Sequence, residues 1–196
     1  MFVAIEGSAA TGKTSFATAI ANACGMLCVL EPDEKELAPL YADISGAPLR
    51  VQAYCLARRI DLQRLIKSQR AAGGGVVSDF VLSKDRVYAE LFLPEDDLKA
   101  YLMLFSALEF LAEPPDLLVF LRASTPILLQ RIQRRARDFE APIDEAFLLR
   151  LEQLCERHIL SSPHGRFAQM DTSHLDIISR PEHLQRVISE LGLSTY

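Results

Sequence analysis

A glycine-rich segment near the amino end has the residues of a phosphate-binding loop. Its G-x4-G-K-T pattern runs from Gly7 to Thr14, after an apolar run and before a helical pattern. The glycines let consecutive N–H groups point inward at phosphate oxygens, and the following helix adds its unpaired donors and partial positive charge. Lys13 is expected to reach the β- and γ-phosphates, and the Thr14 hydroxyl to bind Mg²⁺. The predicted nucleotide-binding residues are Gly7, Ser8, Ala9, Ala10, Thr11, Gly12, Lys13, Thr14 and Ser15.

An acid follows the second apolar run of the chain. Glu31 precedes Pro32, which ends the extended segment. Phosphoryl transfer needs an in-line nucleophile, neutralisation of charge and a group that accepts the proton of the acceptor. Since open α/β sheets bind ligands at the carboxyl ends of their strands, Glu31 is a candidate general base. The alternative is a solvated acid at a strand end.

A third candidate segment is rich in arginine. Planar guanidinium groups suit phosphate oxygens, so this segment predicts a lid that stabilises charge on the transferring phosphoryl group. A solvated basic helix end, or a patch for nucleic acid, is the alternative, and the phosphate loop favours the lid. The arginines are Arg131, Arg134, Arg135 and Arg137.

The elements that must position these groups alternate between short apolar runs and helical patterns, which is typical of an α/β protein with a parallel sheet. Predicted strands are Phe2–Glu6, Met26–Glu31, Val76–Asp79, Leu117–Arg122 and Phe167–Asp171. Predicted helices run from Lys13 to Cys24 and from Leu49 to Ala71, and others begin near Pro94, Ser124 and Arg180. No repeat or long linker divides residues 1–196, so we predict a single domain.

Composition excludes several classes of protein. The net charge of −5 argues against a surface built for nucleic acid. No apolar stretch approaches the roughly 20 residues of a membrane-spanning helix, and Met1–Ile5 lacks the basic region of a signal peptide. We therefore expect a cytoplasmic protein with neither nucleic acid nor membrane as partner. Its four cysteines are expected to be reduced thiols, and its four histidines show no metal-binding spacing.

The segment Leu98–Leu111 is apolar almost all round. Such a helix is either buried inside the monomer or covered by a second subunit. We expect a core role, a homodimer face, or a share of both.

Together these residues resemble the deoxynucleoside kinase family, especially its bacterial members. The family pattern of a phosphate loop followed by Glu-Pro after the second strand is present as Gly7–Thr14 and Glu31-Pro32. The resemblance extends to the helix that Arg180 opens. It implies a P-loop kinase fold: a five-stranded parallel sheet flanked by helices, with an arginine-rich lid. It also implies transfer of the γ-phosphate of ATP, or another nucleoside triphosphate, to the 5′-hydroxyl of a deoxynucleoside in nucleotide salvage.

The resemblance assigns roles to further residues. Tyr41 matches a tyrosine that touches the sugar, and Gln52, eleven residues later, matches a glutamine that hydrogen-bonds the base. Arg59 matches an arginine seven residues after that glutamine, a spacing that puts both side chains on one helix face. Glu140 matches the acid that holds the 3′-hydroxyl. Three residues match the lid arginines, Arg131, Arg135 and Arg137.

The end of the third strand departs from the family pattern. Many members have an acid, an arginine and a serine there, whereas this chain has Ser78-Asp79-Phe80. Asp79 keeps the acid and suits the Mg²⁺ shell, but the arginine that would contact the transferred phosphate is absent. Arg86 is a candidate replacement. Asp85, or its neighbour Lys84, lies where the family reads the base edge.

Two other functions compete with this interpretation. A monophosphate kinase of thymidylate type needs basic residues at the third strand, and Ser78-Asp79-Phe80 argues against it. A nucleotide-binding regulatory module without acceptor chemistry is favoured only by the missing arginine.

Overall fold

A parallel sheet forms the centre of the molecule. The computed structural model of the chain describes residues 1–32, 47–137, 140 and 142–194. Within these ranges the sheet has five strands in the order β2-β3-β1-β4-β5, and every neighbouring pair is parallel. The strands are β1 (Phe2–Gly7), β2 (Leu27–Val29), β3 (Val76–Ser78), β4 (Leu117–Arg122) and β5 (Arg166–Asp171). The predicted five-stranded parallel sheet is confirmed.

Helices cover both faces of the sheet. They are α1 (Lys13–Ala23), α2 (Pro48–Ala71), α3 (Lys84–Phe92), α4 (Glu95–Leu108), α5 (Thr125–Arg135), α6 (Glu145–His158) and α7 (Pro181–Glu190). Helix α6 was missed in the sequence, although its signal is present. The Asp144 side chain accepts a 2.8 Å hydrogen bond from the backbone N–H of Phe147, as an N-cap residue does.

The two faces bury separate apolar clusters because side chains alternate along a strand. In β1, Val3 and Ile5 pack toward α1 and α7, whereas Phe2 and Ala4 pack toward the side of α2, α3 and α6. This central strand is completely buried, so the loop that follows it starts from a rigid base.

Two predicted strands are too long at their carboxyl ends. β2 was predicted over Met26–Glu31 but covers Leu27–Val29, because it is an edge strand that pairs only with the three residues of β3. Glu31 therefore lies beyond the strand. β3 ends at Ser78, so Asp79 begins the loop that leads to α3.

The apolar segment predicted over Leu98–Leu111 divides its side chains between two environments. Tyr101 and Phe105 are buried in a cluster with residues of α2, whereas Met103 and Phe110 are exposed. The segment is α4 followed by a 3₁₀ turn over Glu109–Leu111. The structure thus confirms a core role for one face and leaves the other uncovered.

Two further sequence-based expectations concern cysteines and membranes. Cys24, Cys28, Cys55 and Cys155 are free thiols, as expected. Across the described ranges, no helix has both the length and the apolar character that crossing a bilayer requires.

Candidate active site

The loop between β1 and α1 has the backbone of a phosphate cradle. Gly7 and Gly12 have positive φ angles of 147° and 95°, which side-chain-bearing residues rarely adopt. A Cβ at Gly7 would run into the carbonyl oxygen of Leu121 on β4. The glycines therefore meet both requirements of such a loop, an unusual backbone path and a close approach to the sheet.

Lys13 folds back over this loop. Its Nζ donates to the carbonyl oxygens of Gly7 at 3.0 Å and Ser8 at 2.9 Å. Burial lowers the pKa of the Lys13 ammonium, and nearby Lys84 lowers it further. The hydroxyl of Ser8 is buried and has no hydrogen-bond partner within the described part of the chain. The loop thus holds a cation and an unused polar group at the place where phosphates are expected.

Two hydrogen bonds connect the phosphate loop to the candidate base. The hydroxyl of Thr14 donates to Oδ2 of Asp79 at 2.6 Å. Oδ1 of the same carboxylate accepts from the backbone N–H of Glu31 at 2.8 Å. Asp79 therefore joins the carboxyl ends of β2 and β3 to the start of α1, and it sets Glu31 beside the loop.

The predicted metal ligands fit Mg²⁺. Thr14 and Asp79 bring a hydroxyl and a carboxylate together, and Mg²⁺ prefers such oxygen donors while keeping several of its waters. A site with few protein ligands next to a phosphate loop is typical of this ion.

The carboxylate of Glu31 lies between two cations. Oε1 is 2.7 Å from Nε and 2.5 Å from Nη2 of Arg59, and Oε2 accepts a hydrogen bond from Nζ of Lys84. Burial alone would raise the pKa of this acid, but Lys84 and Arg59 outweigh burial and lower the pKa to about 2. Glu31 is thus held ionised.

Arg59 extends the network toward the predicted base-reading residues. Its Nη1 donates to Oδ1 of Asp85 at 2.7 Å, and the hydroxyl of Tyr101 donates to the same oxygen at 2.9 Å. Asp85 is fully buried, and burial raises the pKa of its carboxyl. Its Oδ2 has no partner among the described residues, so one oxygen is left for a ligand.

Two further residues, Gln52 and Tyr41, were predicted to bind the acceptor. Gln52 is buried on α2, the same helix that carries Arg59. Tyr41, predicted to touch the sugar, lies outside the described residues.

The arginines of the predicted lid make contacts at two different places. Arg131 donates to the carbonyl oxygen of Ala10 in the phosphate loop and to both oxygens of Thr172 after β5. Arg135 donates to Oε1 of Glu140 at 2.7 Å, and Arg137 lies 3.7 Å from the same oxygen. One arginine is therefore anchored on the loop, and two gather around the acid predicted to hold the sugar.

Arg86 does not replace the missing arginine. Its Nη2 donates to Glu109 at 2.8 Å, and its guanidinium lies 4.7 Å from the ring centre of Phe105. These contacts tie it to α4 and the turn that follows. The cation that joins Arg59 beside Glu31 is instead Lys84.

Sequence reasoning missed Glu6, Tyr101 and Thr172 and left Lys84 as an alternative to Asp85. Glu6 is fully buried, and its Oε1 accepts from the backbone N–H of Val81 at 2.9 Å. Its signal was available, since it is the one charged residue in the apolar run before Gly7. Tyr101 offered no such signal because its helical pattern is that of a core residue.

Comparison with known proteins identifies the family of this chain. The sequence model of the family described as "Deoxynucleoside kinase" matches residues 3–193. The chain belongs to the deoxynucleoside kinase family. It is therefore a phosphotransferase that acts on an alcohol acceptor.

Relatives agree with this assignment. A deoxyguanosine kinase of Bacillus subtilis is 29% identical over 153 residues, covering 76% of this chain and 74% of the relative. A deoxyadenosine kinase of Dictyostelium discoideum is 31% identical over 156 residues, covering 76% and 62%. Among solved structures, deoxyadenosine kinase from M. mycoides with dCMP and dCDP bound has a TM-score of 0.78 at 20% identity and covers 98% of this chain and 99% of that chain. That likeness confirms the P-loop kinase fold.

Proposed function

We propose that this family member transfers the γ-phosphate of ATP, or another nucleoside triphosphate, to the 5′-hydroxyl of a 2′-deoxynucleoside. The observation that carries the proposal is the link from Thr14 through Asp79 to Glu31. It sets an ionised acid, whose side chain is 18% exposed, next to a phosphate loop, which is where a proton acceptor for phosphoryl transfer has to be.

In the proposed reaction Glu31 accepts the proton of the 5′-hydroxyl as the bond from that oxygen to the γ-phosphorus forms. The bond from the γ-phosphorus to the β-phosphate oxygen breaks, and its electron pair leaves with the diphosphate. Lys13, released from the carbonyl oxygens of Gly7 and Ser8, neutralises charge on the β- and γ-phosphates. Arg131, Arg135 and Arg137 are proposed to form the lid and to stabilise the same negative charge on the phosphates.

Mg²⁺ would be held by Thr14 and Asp79. When bound, it neutralises negative charge on the β- and γ-phosphate oxygens. Asp79 also positions Glu31 through the backbone, so one carboxylate serves both the metal and the base.

The acceptor side is proposed to bind the deoxynucleoside through five residues. Gln52, Arg59 and Asp85 face the base, where the unpaired Oδ2 of Asp85 accepts from a ring or exocyclic N–H group. Tyr41 and Glu140 hold the sugar, and Oε2 of Glu140 is likewise buried without a partner among the described residues. The names of the relatives support purine deoxynucleosides as the first acceptors to test.

A cavity beside the phosphate loop is proposed to receive the base of the donor. It has a volume of about 190 Å³ and is lined by Gly12, Arg131, Thr172, Ile177 and Ile178, among others. Apolar walls beside the phosphate loop suit a flat base. The segment after β5 that contributes Thr172, Ile177 and Ile178 to this cavity was not predicted from the sequence.

The exposed side chains Met103, Leu104 and Phe110 support a homodimer formed through α4 and the turn that follows it. Sedimentation of wild type and of Met103→Glu tests this: a dimer that the glutamate dissociates supports it, and a monomeric wild type contradicts it. Cytoplasmic location and a role in salvage stay predictions.

The function is tested with a panel of acceptors, the four deoxynucleosides and their ribose forms, incubated with ATP and Mg²⁺. We expect 5′-phosphorylation of at least one deoxynucleoside in preference to its ribose form, and strong loss of activity in Glu31→Ala. A panel of nucleoside monophosphates runs alongside. Phosphorylation of monophosphates alone would favour a thymidylate-type kinase, and phosphorylation of neither panel would favour a regulatory module.

A further inference from the structure

Lys84 is a buried cation at the centre of the site. It is the first residue of α3 and is only 5% exposed. Its Nζ donates to Oε2 of Glu31 and lies 5.7 Å from the ring centre of Tyr88. A buried ammonium needs a charged partner, so its place in the fold depends on Glu31.

In this chain a positive charge lies at a later sequence position than the arginine of the family pattern. The residue after Asp79 is Phe80, which is fully buried in the apolar cluster that includes Phe2 and Val29. A guanidinium at Phe80 would have to be accommodated in that cluster. The cation that meets Oε2 of Glu31 comes instead from four residues later, at Lys84.

The turn that carries Lys84 is fastened to the phosphate-loop strand. Glu6 accepts from the backbone N–H of Val81, whose carbonyl oxygen accepts from the backbone N–H of Lys84 at 3.2 Å. The hydroxyl of Ser78 donates to the carbonyl oxygen of Phe80 at 2.6 Å, which holds the turn from its other end. The backbone of Lys84 is therefore set by β1 and β3, and only the rotatable bonds of its four-carbon side chain decide where the ammonium lies.

Both carboxylate oxygens of Glu31 already accept from cations, Oε1 from Arg59 and Oε2 from Lys84. An acceptor hydroxyl that gives its proton to Glu31 needs one of these oxygens, so one of the two cations has to move away. Arg59 is held at its other end by Asp85, whereas the Lys84 ammonium is a compact charge with three donors on a flexible stem. Lys84 is therefore the partner that can turn to a new anion.

We propose that Lys84 is a catalytic residue: it holds Glu31 in place until the acceptor hydroxyl arrives, then donates to an oxygen of the transferring phosphoryl group. This rests on the proposed function. In the step, the proton of the 5′-hydroxyl goes to Glu31, the new oxygen–phosphorus bond forms, and the diphosphate leaves with the electron pair of the broken bond. Lys84 keeps its own protons and stabilises negative charge on the group in flight.

The test compares Lys84→Ala, Lys84→Gln and Lys84→Arg with wild type, using the deoxynucleoside that wild type phosphorylates best. For the two neutral variants we expect kcat to fall by about 10²- to 10³-fold while KM for the deoxynucleoside changes by less than about threefold. Lys84→Arg restores a cation and is expected to recover at least about tenfold of the lost kcat. Lys99→Ala, at an exposed lysine of α4, is the matched control and is expected to keep wild-type kcat.

Chemical rescue separates catalysis from structural support. Methylammonium or ethylammonium added to Lys84→Ala is expected to raise kcat in a saturable manner, because the small cation occupies the space that the side chain left. If Lys84→Ala does not fold, Lys84→Gln, which keeps most of the side-chain volume, supplies the kcat and KM comparison.

Three results would overturn the role of Lys84. They are an unchanged kcat in the neutral variants, a loss confined to KM, and an arginine variant no better than glutamine together with no rescue by alkylamines. A wild-type protein that phosphorylates no deoxynucleoside would instead overturn the proposed function, so the two failures are distinguishable.

Discussion

The phosphate loop and the network around Glu31 hold their charges in different ways. In the loop, Lys13 is bound by the carbonyl oxygens of Gly7 and Ser8, and Arg131 by those of Ala10 and Thr172. On the acceptor side, carboxylates and cations bind one another directly, as in Lys84–Glu31–Arg59–Asp85.

This difference predicts which substitutions affect activity and which also affect the stability of the fold. Removing a cation that is bound by backbone carbonyl oxygens breaks no direct hydrogen bond to a carboxylate, so its loss should affect turnover more than stability. Removing one member of a buried ion-pair network leaves its partners unpaired, which costs roughly 3–5 kcal/mol. Substitutions of the loop cations should therefore act mainly on kcat, and substitutions of the ion-paired residues on the acceptor side on both kcat and the free energy of unfolding.

The largest expected effect is that of Lys13→Ala. We expect kcat to fall by about 10³-fold or more, since Lys13 is the loop cation proposed to meet the β- and γ-phosphates. Its melting temperature should stay close to that of wild type, as measured by differential scanning calorimetry, with the exposed Lys99→Ala as control. A large drop in melting temperature would contradict the expected difference in stability effects between the phosphate loop and the acceptor network.

Glu31→Gln should affect both properties, and stability in a pH-dependent way. The pKa of Glu31 is lowered from 4.5 to about 2, so this carboxylate contributes stability above pH 4.5 and loses that contribution as the pH falls toward 2. At neutral pH we expect wild type to be more stable than Glu31→Gln by about 3 kcal/mol. We also expect kcat to fall by about 10²- to 10⁴-fold.

Urea unfolding at pH 7, 4 and 3 measures this difference in stability. The advantage of wild type over Glu31→Gln should shrink as the pH falls, whereas Glu95→Gln, at an exposed acid of α4, should match wild type throughout. A difference that does not depend on pH would contradict the ionised pair.

Arg135→Ala should have an intermediate effect. If this side chain acts on charge in the transition state, kcat falls by about 10²-fold while KM for the deoxynucleoside changes much less. Arg134→Ala removes an exposed arginine from the same turn of α5 and is the control. Equal losses in kcat and in nucleoside affinity would argue against a lid role and for support of Glu140.

The smallest expected effect is that of Tyr101→Phe. It removes one of two donors to Oδ1 of the buried Asp85 and leaves the ring in the core. We expect KM for the deoxynucleoside to rise by about fivefold, corresponding to about 1 kcal/mol, with kcat unchanged. A fall in kcat instead would place Tyr101 in the chemistry rather than in base binding.

The phosphate loop could be predicted from the sequence because its geometry is local. Backbone angles that only glycine adopts easily, a following helix and a lysine at a set spacing determine it, and all lie between Gly7 and Ser15. The parallel sheet could also be predicted, since buried strands separated by helices leave few other arrangements. Strand ends were less accurate, because the length of β2 depends on the strand beside it.

The acceptor network depended on tertiary structure. Glu31, Arg59, Lys84 and Tyr101 lie on four separate segments of the chain, and no spacing in the sequence relates them. Arg86 was a candidate substitute for the missing arginine. Lys84 lies two residues earlier, on the other side of α3, and only the packing of that helix decides which of the two cations faces Glu31. A local motif is encoded by nearby residues, whereas a buried ion pair forms only where the fold brings opposite charges together.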